Sequence, residues 1–249
     1  MWLAHKTSKL YDAALALLYP QFCDVCSRSV GARADGVACA ACWAATRIFS
    51  AEETLCWKCG RPALARVAEE HRRDVRCHRC ADEHFTAARA CGIYEKALRA
   101  SVLRLKHEPH VSSRLAHLLF ETQRRPPLQA ATRILPLPLH RERERERGFN
   151  QAAVIGRALA RLTRLPFDEW SLTRTLHTER HRAGMDARAR RESVQGAFEV
   201  KRPRLIEGER ILLVDDVFTT GATASACALA LQQAGALEVL VLTLARPLD

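Results

Sequence analysis

Eight of the ten cysteines in this chain fall into four C-x2-C pairs, Cys23/Cys26, Cys39/Cys42, Cys56/Cys59 and Cys77/Cys80. Two thiolates separated by two residues sit on one tight turn, and two such turns supply the four sulfurs of a tetrahedral zinc site. The spacings C-x2-C-x12-C-x2-C and C-x2-C-x17-C-x2-C each fit one closed site, so two structural Zn2+ ions are expected on these eight ligands. Spacing leaves the connectivity open: a crossed arrangement, with Cys23 and Cys26 sharing a metal with Cys56 and Cys59, satisfies it equally. Four thiolates leave no open coordination position, which assigns the metals to folding. Cys91 and Cys227 stand outside the pattern and are expected to be buried free thiols.

The cysteine-bearing segment, residues 21–85, has few long apolar runs, and a segment so poor in core material folds around metal. Ahead of it, residues 1–20 read as an amphipathic helix with Trp2, Leu3, Leu10, Ala14, Leu17 and Leu18 near one face, stopped by Pro20. From residue 86 to 249 the texture changes. "ACGIYEKALRASVLRLK" reads as a strand running into a helix, "VSSRLAHLLFETQ" as a helix and "RILPLPL" as a strand. Asn150 to Leu165 reads as a helix with an apolar face through Ala153, Val154, Ala158 and Leu162. "ILLVDD", the helix "ATASACALALQQAG" and "LEVLVLTLAR" complete an alternation that implies an α/β fold, a parallel sheet flanked by helices, behind the small zinc-binding domain. Thr173 to Glu192 is arginine-rich and aperiodic, the composition of a surface loop.

"ILLVDDVFTTGAT", Ile211 to Thr223, carries the chemistry. A buried apolar strand ends in two adjacent carboxylates, and the carboxyl ends of parallel strands are where such sheets bind ligands. Thr219, Thr220, Gly221, Ala222 and Thr223 then open a helix, whose free N–H groups and neighbouring hydroxyls suit a phosphate. Paired acceptors beside an anion cradle describe a sugar phosphate. A lone pair of aspartates or a single threonine would more simply cap a helix, but the thirteen-residue arrangement does more than capping requires.

This stretch resembles the phosphoribosyl pyrophosphate (PRPP) motif of type I phosphoribosyltransferases. With "LPLPLHRERERERGFNQA", "GAFEV" and the four cysteine pairs, nearly the whole chain resembles the ComF family, whose members carry that fold behind a double zinc ribbon. The resemblance implies that Asp215 and Asp216 bind the ribose 2′- and 3′-hydroxyls and that Thr219, Thr220, Gly221, Ala222 and Thr223 hold the 5′-phosphate. It places Lys106, Arg143, Arg147, Gly148, Asn150 and Gln151 on the pyrophosphate side, with Mg2+ accompanying PRPP. It makes residues 173–192 a hood over the reacting sugar. There the family's T-x2-Q and R-x2-N-V read Thr178-Glu179-Arg180-His181 and Arg190-Arg191-Glu192-Ser193-Val194, so the acceptor-facing part departs from the pattern. The implied activity is phosphoribosyl transfer to an unidentified acceptor. The alternative is a PRPP-binding, single-stranded-DNA-binding accessory protein of the competence machinery and DNA uptake, without turnover.

"RERERER" from Arg141 to Arg147, taken as extended, puts Arg141, Arg143, Arg145 and Arg147 on one face. A formal charge of +11 points to a polyanionic partner. With 6% aromatic residues there is no clear stacking stripe for bases, so any nucleic-acid binding is expected to be largely electrostatic. No run of about 18 or more uncharged apolar residues is present, so no membrane span is expected. Reduced, metal-holding thiols suggest the cytoplasm.

Overall fold

A computed structural model describes residues 21–176, 194 and 196–248. The expected helix over residues 1–20 and most of the expected hood, residues 177–193, lie outside the described residues. The strands are β1 (Ala87–Ile93), β2 (Arg133–Pro136), β3 (Leu172–Arg174), β4 (Phe198–Val200), β5 (Arg210–Val217) and β6 (Glu238–Arg246). The α-helices are α1 (Ala40–Ala44), α2 (Lys96–Leu105), α3 (Ser113–Gln123), α4 (Arg141–Arg147), α5 (Gln151–Thr163) and α6 (Ala222–Gln233). Four strands form an all-parallel sheet in the order β1-β6-β5-β2, while β3 and β4 form an antiparallel pair.

The apolar runs of β5 and β6 are continuous because these central strands are covered on both faces. Leu212, Val214, Leu240 and Leu242 pack with Leu98 and Val102 of α2, Leu115 and Leu119 of α3, and Ile155 and Leu159 of α5. On the other face Ile211, Leu213, Val239 and Val241 pack with Cys227, Ala228 and Leu231 of α6. The expected parallel sheet flanked by helices is thus the fold adopted. The buried face of α5 runs through Ala152, Ile155 and Leu159, while Leu162 is exposed. The expected face through Leu162 is therefore corrected: Ile155 and Leu159, one turn apart, are the pair that meets the sheet.

The zinc-binding segment straddles β1. Cys23, Val30, Cys39 and Trp43 join the core on one face of the sheet, and Cys56, Cys59, Cys80 and Phe85 join the core on the other. Backbone bonds from Phe49 N–H to Cys91 O (2.9 Å) and from Ala88 N–H to Lys58 O (2.7 Å) cover the β1 edge, which would otherwise be open to pairing with another chain.

The RERERER segment is a helix, not a strand, and the single arginine face expected of it is corrected accordingly. The His140 side chain accepts from Glu142 N–H at the start; Glu142 and Glu144 lie in the first turn and Arg145 and Arg147 in the last, complementing the helix dipole. Gly148, at φ +83°, stops the helix in the left-handed conformation that glycine adopts freely. Helical spacing pairs Arg141 with Arg145 and Arg143 with Arg147. Thr173 and Arg174, expected in the loop, belong to β3, whose three residues are too few to announce themselves by alternation.

Candidate functional site

Strand β5 carries Asp215 and Asp216 to its carboxyl end, both half-buried, with Asp215 beside Thr243 of β6. The backbone N–H of Asp216 donates to Oδ1 of Asp215 at 2.8 Å. The chain then turns through Thr219, which is exposed, and Thr220, which is half-buried, into α6. Gly221 makes the turn possible: its φ is +85°, and an added Cβ would meet Phe218 Cζ at 2.8 Å. Gly221 gives α6 no side-chain cap and no acidic residue lies in its first turn, while Thr220 Oγ1 accepts from Ala222 N–H at 3.4 Å. The remaining first-turn amides of α6, with Thr219 and Thr223, therefore border a space suited to an anion. A cavity of about 80 Å³ there is lined by Asp215, Phe218, Thr219, Thr223, Leu137 and Thr243.

Burial pushes the Asp215 carboxyl well above the ordinary 3.8; the neighbouring Asp216 adds to the rise, while the Asp216 amide and the Lys106 ammonium oppose it. Burial likewise raises Asp216, against the pull of Lys106 and then Arg147. Lys106 is the C-cap of α2 and Arg147 ends α4, so positive charge from two other segments acts on this strand end. Arg143, one turn before Arg147, acts on Arg174 of β3: burial lowers the Arg174 pKa and the like charge of Arg143 lowers it further.

Gly148 is the C-cap of α4. Asn150 and Gln151 are buried, at 7% and 4% exposure. Asn150 is committed to its surroundings, accepting from Ala152 N–H at 2.9 Å and donating through Nδ2 to Leu137 O at 3.0 Å, which ties α5 to the chain leaving β2. The sequence reading did not single out Thr243 or Arg174. Thr243 is the one polar residue in "LVLTLA", which is a usable signal; Arg174 had none beyond its charge.

The cysteines form two groups, Cys23/Cys26/Cys39/Cys42 and Cys56/Cys59/Cys77/Cys80, with all sulfurs of a group within 4.8 Å of one another. The crossed arrangement is thereby overturned. Sulfur separations of 3.7 Å (Cys26–Cys39), 3.7 Å (Cys56–Cys80) and 3.5 Å (Cys59–Cys77) lie near the roughly 3.8 Å that a tetrahedron with Zn–S of about 2.3 Å requires. Both groups fit structural zinc. Cys91 and Cys227 are buried free thiols; burial pushes Cys91 up to about 12.

The double zinc ribbon domain family matches residues 14–81. DNA utilization protein YhgH of Escherichia coli O157:H7 is 30% identical over 240 residues, covering 93% of this chain and 100% of that protein. Competence protein F of Haemophilus influenzae is 32% identical over 162 residues, 62% of this chain and 70% of that protein. Among solved structures, the glutamine PRPP amidotransferase of B. subtilis, complexed with ADP and GMP, matches at a TM-score of 0.37 and 17% identity. That match covers 56% of this chain and 30% of the enzyme. No described helix is long and apolar enough to cross a membrane.

Proposed function

The chain belongs to the ComF family, and from that premise we propose that it binds PRPP with Mg2+ at the end of β5 and transfers the phosphoribosyl group to an acceptor. The observation that carries this reading is the placement of Asp215 and Asp216 at the carboxyl end of β5 beside the turn into α6, with Lys106 acting electrostatically on both carboxyls and Arg147 on Asp216. In the proposed complex Asp215 and Asp216 accept from the ribose hydroxyls, and the turn from Thr219 to Thr223 with the free amides of α6 takes the 5′-phosphate. Lys106 and Arg147, with Arg143 behind, face the diphosphate, where the guanidinium fork pairs two oxygens at once. Asn150 and Gln151, being buried, hold the loop rather than reach the ligand. The acidic pair favours positive charge developing on the ribose ring as the bond from C1 to the diphosphate breaks.

Hard oxygen donors whose burial makes lone negative charge costly suit a divalent cation, so the acidic pair fits Mg2+ with its substrate. When bound, Mg2+ neutralises charge on the departing diphosphate. A cytoplasmic setting, where thiols stay reduced, accords with this reading.

Calorimetric titration of the zinc-loaded chain with PRPP and Mg2+ is expected to show one site per chain that disappears in Asp215→Asn/Asp216→Asn. Pyrophosphate release across a panel of bases and amines then tests turnover. An absence of PRPP binding overturns the reading.

The relatives' names favour a second reading, a single-stranded-DNA-binding accessory protein of DNA uptake. A groove of about 590 Å³ between the first ribbon and α2 is lined by Lys96, Arg99 and His107, with Arg104 paired to Asp24 at 2.8 Å, and its remaining cations offer contacts to a phosphodiester backbone. Gel shifts that weaken steeply with salt and survive the aspartate change support it; PRPP binding with no such shift removes it.

A further inference from the structure

A second cavity, of about 440 Å³, lies at the seam between the second ribbon and the β1 edge and shares no lining residue with the cavity beneath Asp215. Its volume is in the usual range for a small-molecule site. Phe49, Leu55 and Trp57 form the ribbon wall; Arg89 and Ala90 of β1, with Arg125 beyond α3, form the other.

Arg89 is the unusual member. It is 9% exposed, and its Nη1 donates to the carbonyls of Trp57 and Ala88, each at 2.8 Å. Its guanidinium carbon lies 5.2 Å from the centre of the Trp57 ring. Burial pulls its pKa down to about 10, which leaves it charged at neutral pH. Among the described residues no carboxylate pairs with it; its counter-charge is the neighbouring thiolate group, through Cys56 and Cys59. Arg125 is held in the same way, by Nη1 donating to Phe49 O at 2.8 Å. Of the acids near this cavity, Glu53 pairs with Arg47, and Glu69 and Glu70 are exposed at the rim. Main-chain carbonyls thus orient the guanidiniums of Arg89 and Arg125, and Arg72 and Arg73 bring two more to the lining.

We infer that this cavity binds a small aromatic anion, a planar ring bearing one phosphate or carboxylate. The ring lies among Phe49, Leu55 and Trp57, and the anionic group meets Arg89 and Arg125. Aromatic and aliphatic walls select a flat apolar body, and the lining guanidiniums of Arg72, Arg73, Arg89 and Arg125, which outnumber the lining carboxylates of Glu53, Glu69 and Glu70, select an anion. Because its two walls come from the ribbon and from the sheet, the bound ligand clamps one to the other.

The test is calorimetric titration of the zinc-loaded full chain with the four ribonucleoside 5′-monophosphates and, separately, with benzoate and indole-3-acetate. One set is expected to give saturable one-site binding, which distinguishes phosphate from carboxylate. Arg89→Met is expected to weaken it at least tenfold, as is Ala51→Trp at the exposed mouth, while Asp215→Asn/Asp216→Asn leaves it unchanged. Zinc content reports folding, and if Arg89→Met loses metal, Ala51→Trp and Arg125→Gln decide. No saturable binding by either set, affinity undiminished by Ala51→Trp, or binding lost with the aspartates overturns the inference. The last outcome assigns the ligand to the β5 site.

Discussion

The backbone N–H of Asp216 donates to Oδ1 of Asp215 at 2.8 Å, which locks two carboxyls onto adjacent positions of one strand end. Both have raised pKa values, burial being the first cause. A carboxyl whose folded pKa stands above its unfolded value contributes stability that is fully present below the unfolded value, ordinarily 3.8, and is lost as pH rises through the folded one. At neutral pH the ligand-free pair is therefore destabilising, by about 1.4 kcal/mol for each pKa unit. Asp215→Asn retains the accepting oxygen and removes the charge. Asp215→Asn/Asp216→Asn is expected to melt about 2–4 °C higher at pH 7 for each kcal/mol released. The gain should shrink as pH falls toward 4, and PRPP should no longer raise the melting temperature. A double variant that melts at or below wild type at pH 7 would contradict this electrostatic account.

Helix α4 separates its arginines into unequal pairs. Arg147 acts on Asp216 and Arg143 on Arg174; Arg143 is half-buried, while Arg141, Arg145 and Arg147 are exposed. A charged hydrogen bond to phosphate contributes about 1.5–3 kcal/mol, or roughly 10- to 150-fold in affinity. Arg147→Gln is expected to weaken PRPP or pyrophosphate binding by about that factor, and Arg145→Gln by no more than about twofold. Equal losses from both, read by titration at one salt concentration, would mean that the helix acts only through its net charge.

Zinc stoichiometry tests the cysteine grouping directly. Cys23→Ser with Cys39→Ser removes two ligands from one group and leaves Cys56, Cys59, Cys77 and Cys80 intact. Elemental analysis is expected to fall from about two zinc ions per chain to about one, with four thiols supplying each site. A crossed arrangement would lose a ligand from both sites and bring the count toward zero. Since the ribbons pack on opposite faces of the sheet, chelating both metals is expected to expose β1 to protease as well.

The legible features were those whose information is local. Cysteine spacing names a zinc ribbon without any tertiary knowledge, and Ile211 to Thr223 holds strand, acids and turn in one stretch. Helix α4 was misread because alternating charge has the strand period, while its stop and its end charges lie in Gly148 and in residue order. The pull of the Lys106 charge on Asp216 was open only to resemblance, because it depends on how α2 and β5 lie in the fold. The carbonyl-bound Arg89 was invisible, since in sequence it is one arginine among many and its burial comes from the ribbon closing over β1.

Asn150 offers a separation of scaffold from chemistry. Its oxygen caps α5 and its amide donates to Leu137 O, both within buried surroundings. Asn150→Ala loses the cap, about 1 kcal/mol, and leaves the Leu137 carbonyl unpaired, about 1–3 kcal/mol. A drop of about 4–16 °C in melting temperature follows for a domain of this size. Asn150→Asp keeps the accepting oxygen for Ala152 but sets a buried carboxylate oxygen against the Leu137 carbonyl, so at neutral pH it should fall at least as far in melting temperature. Its added negative charge lies in the loop proposed to face the diphosphate, so it should weaken PRPP binding more than its stability loss accounts for. Calorimetry for both variants, with PRPP titrations at a temperature where each is folded, checks the ordering. If Asn150→Asp binds PRPP as wild type does, the loop between α4 and α5 is remote from the diphosphate and the pyrophosphate-side assignment of Arg147 fails with it.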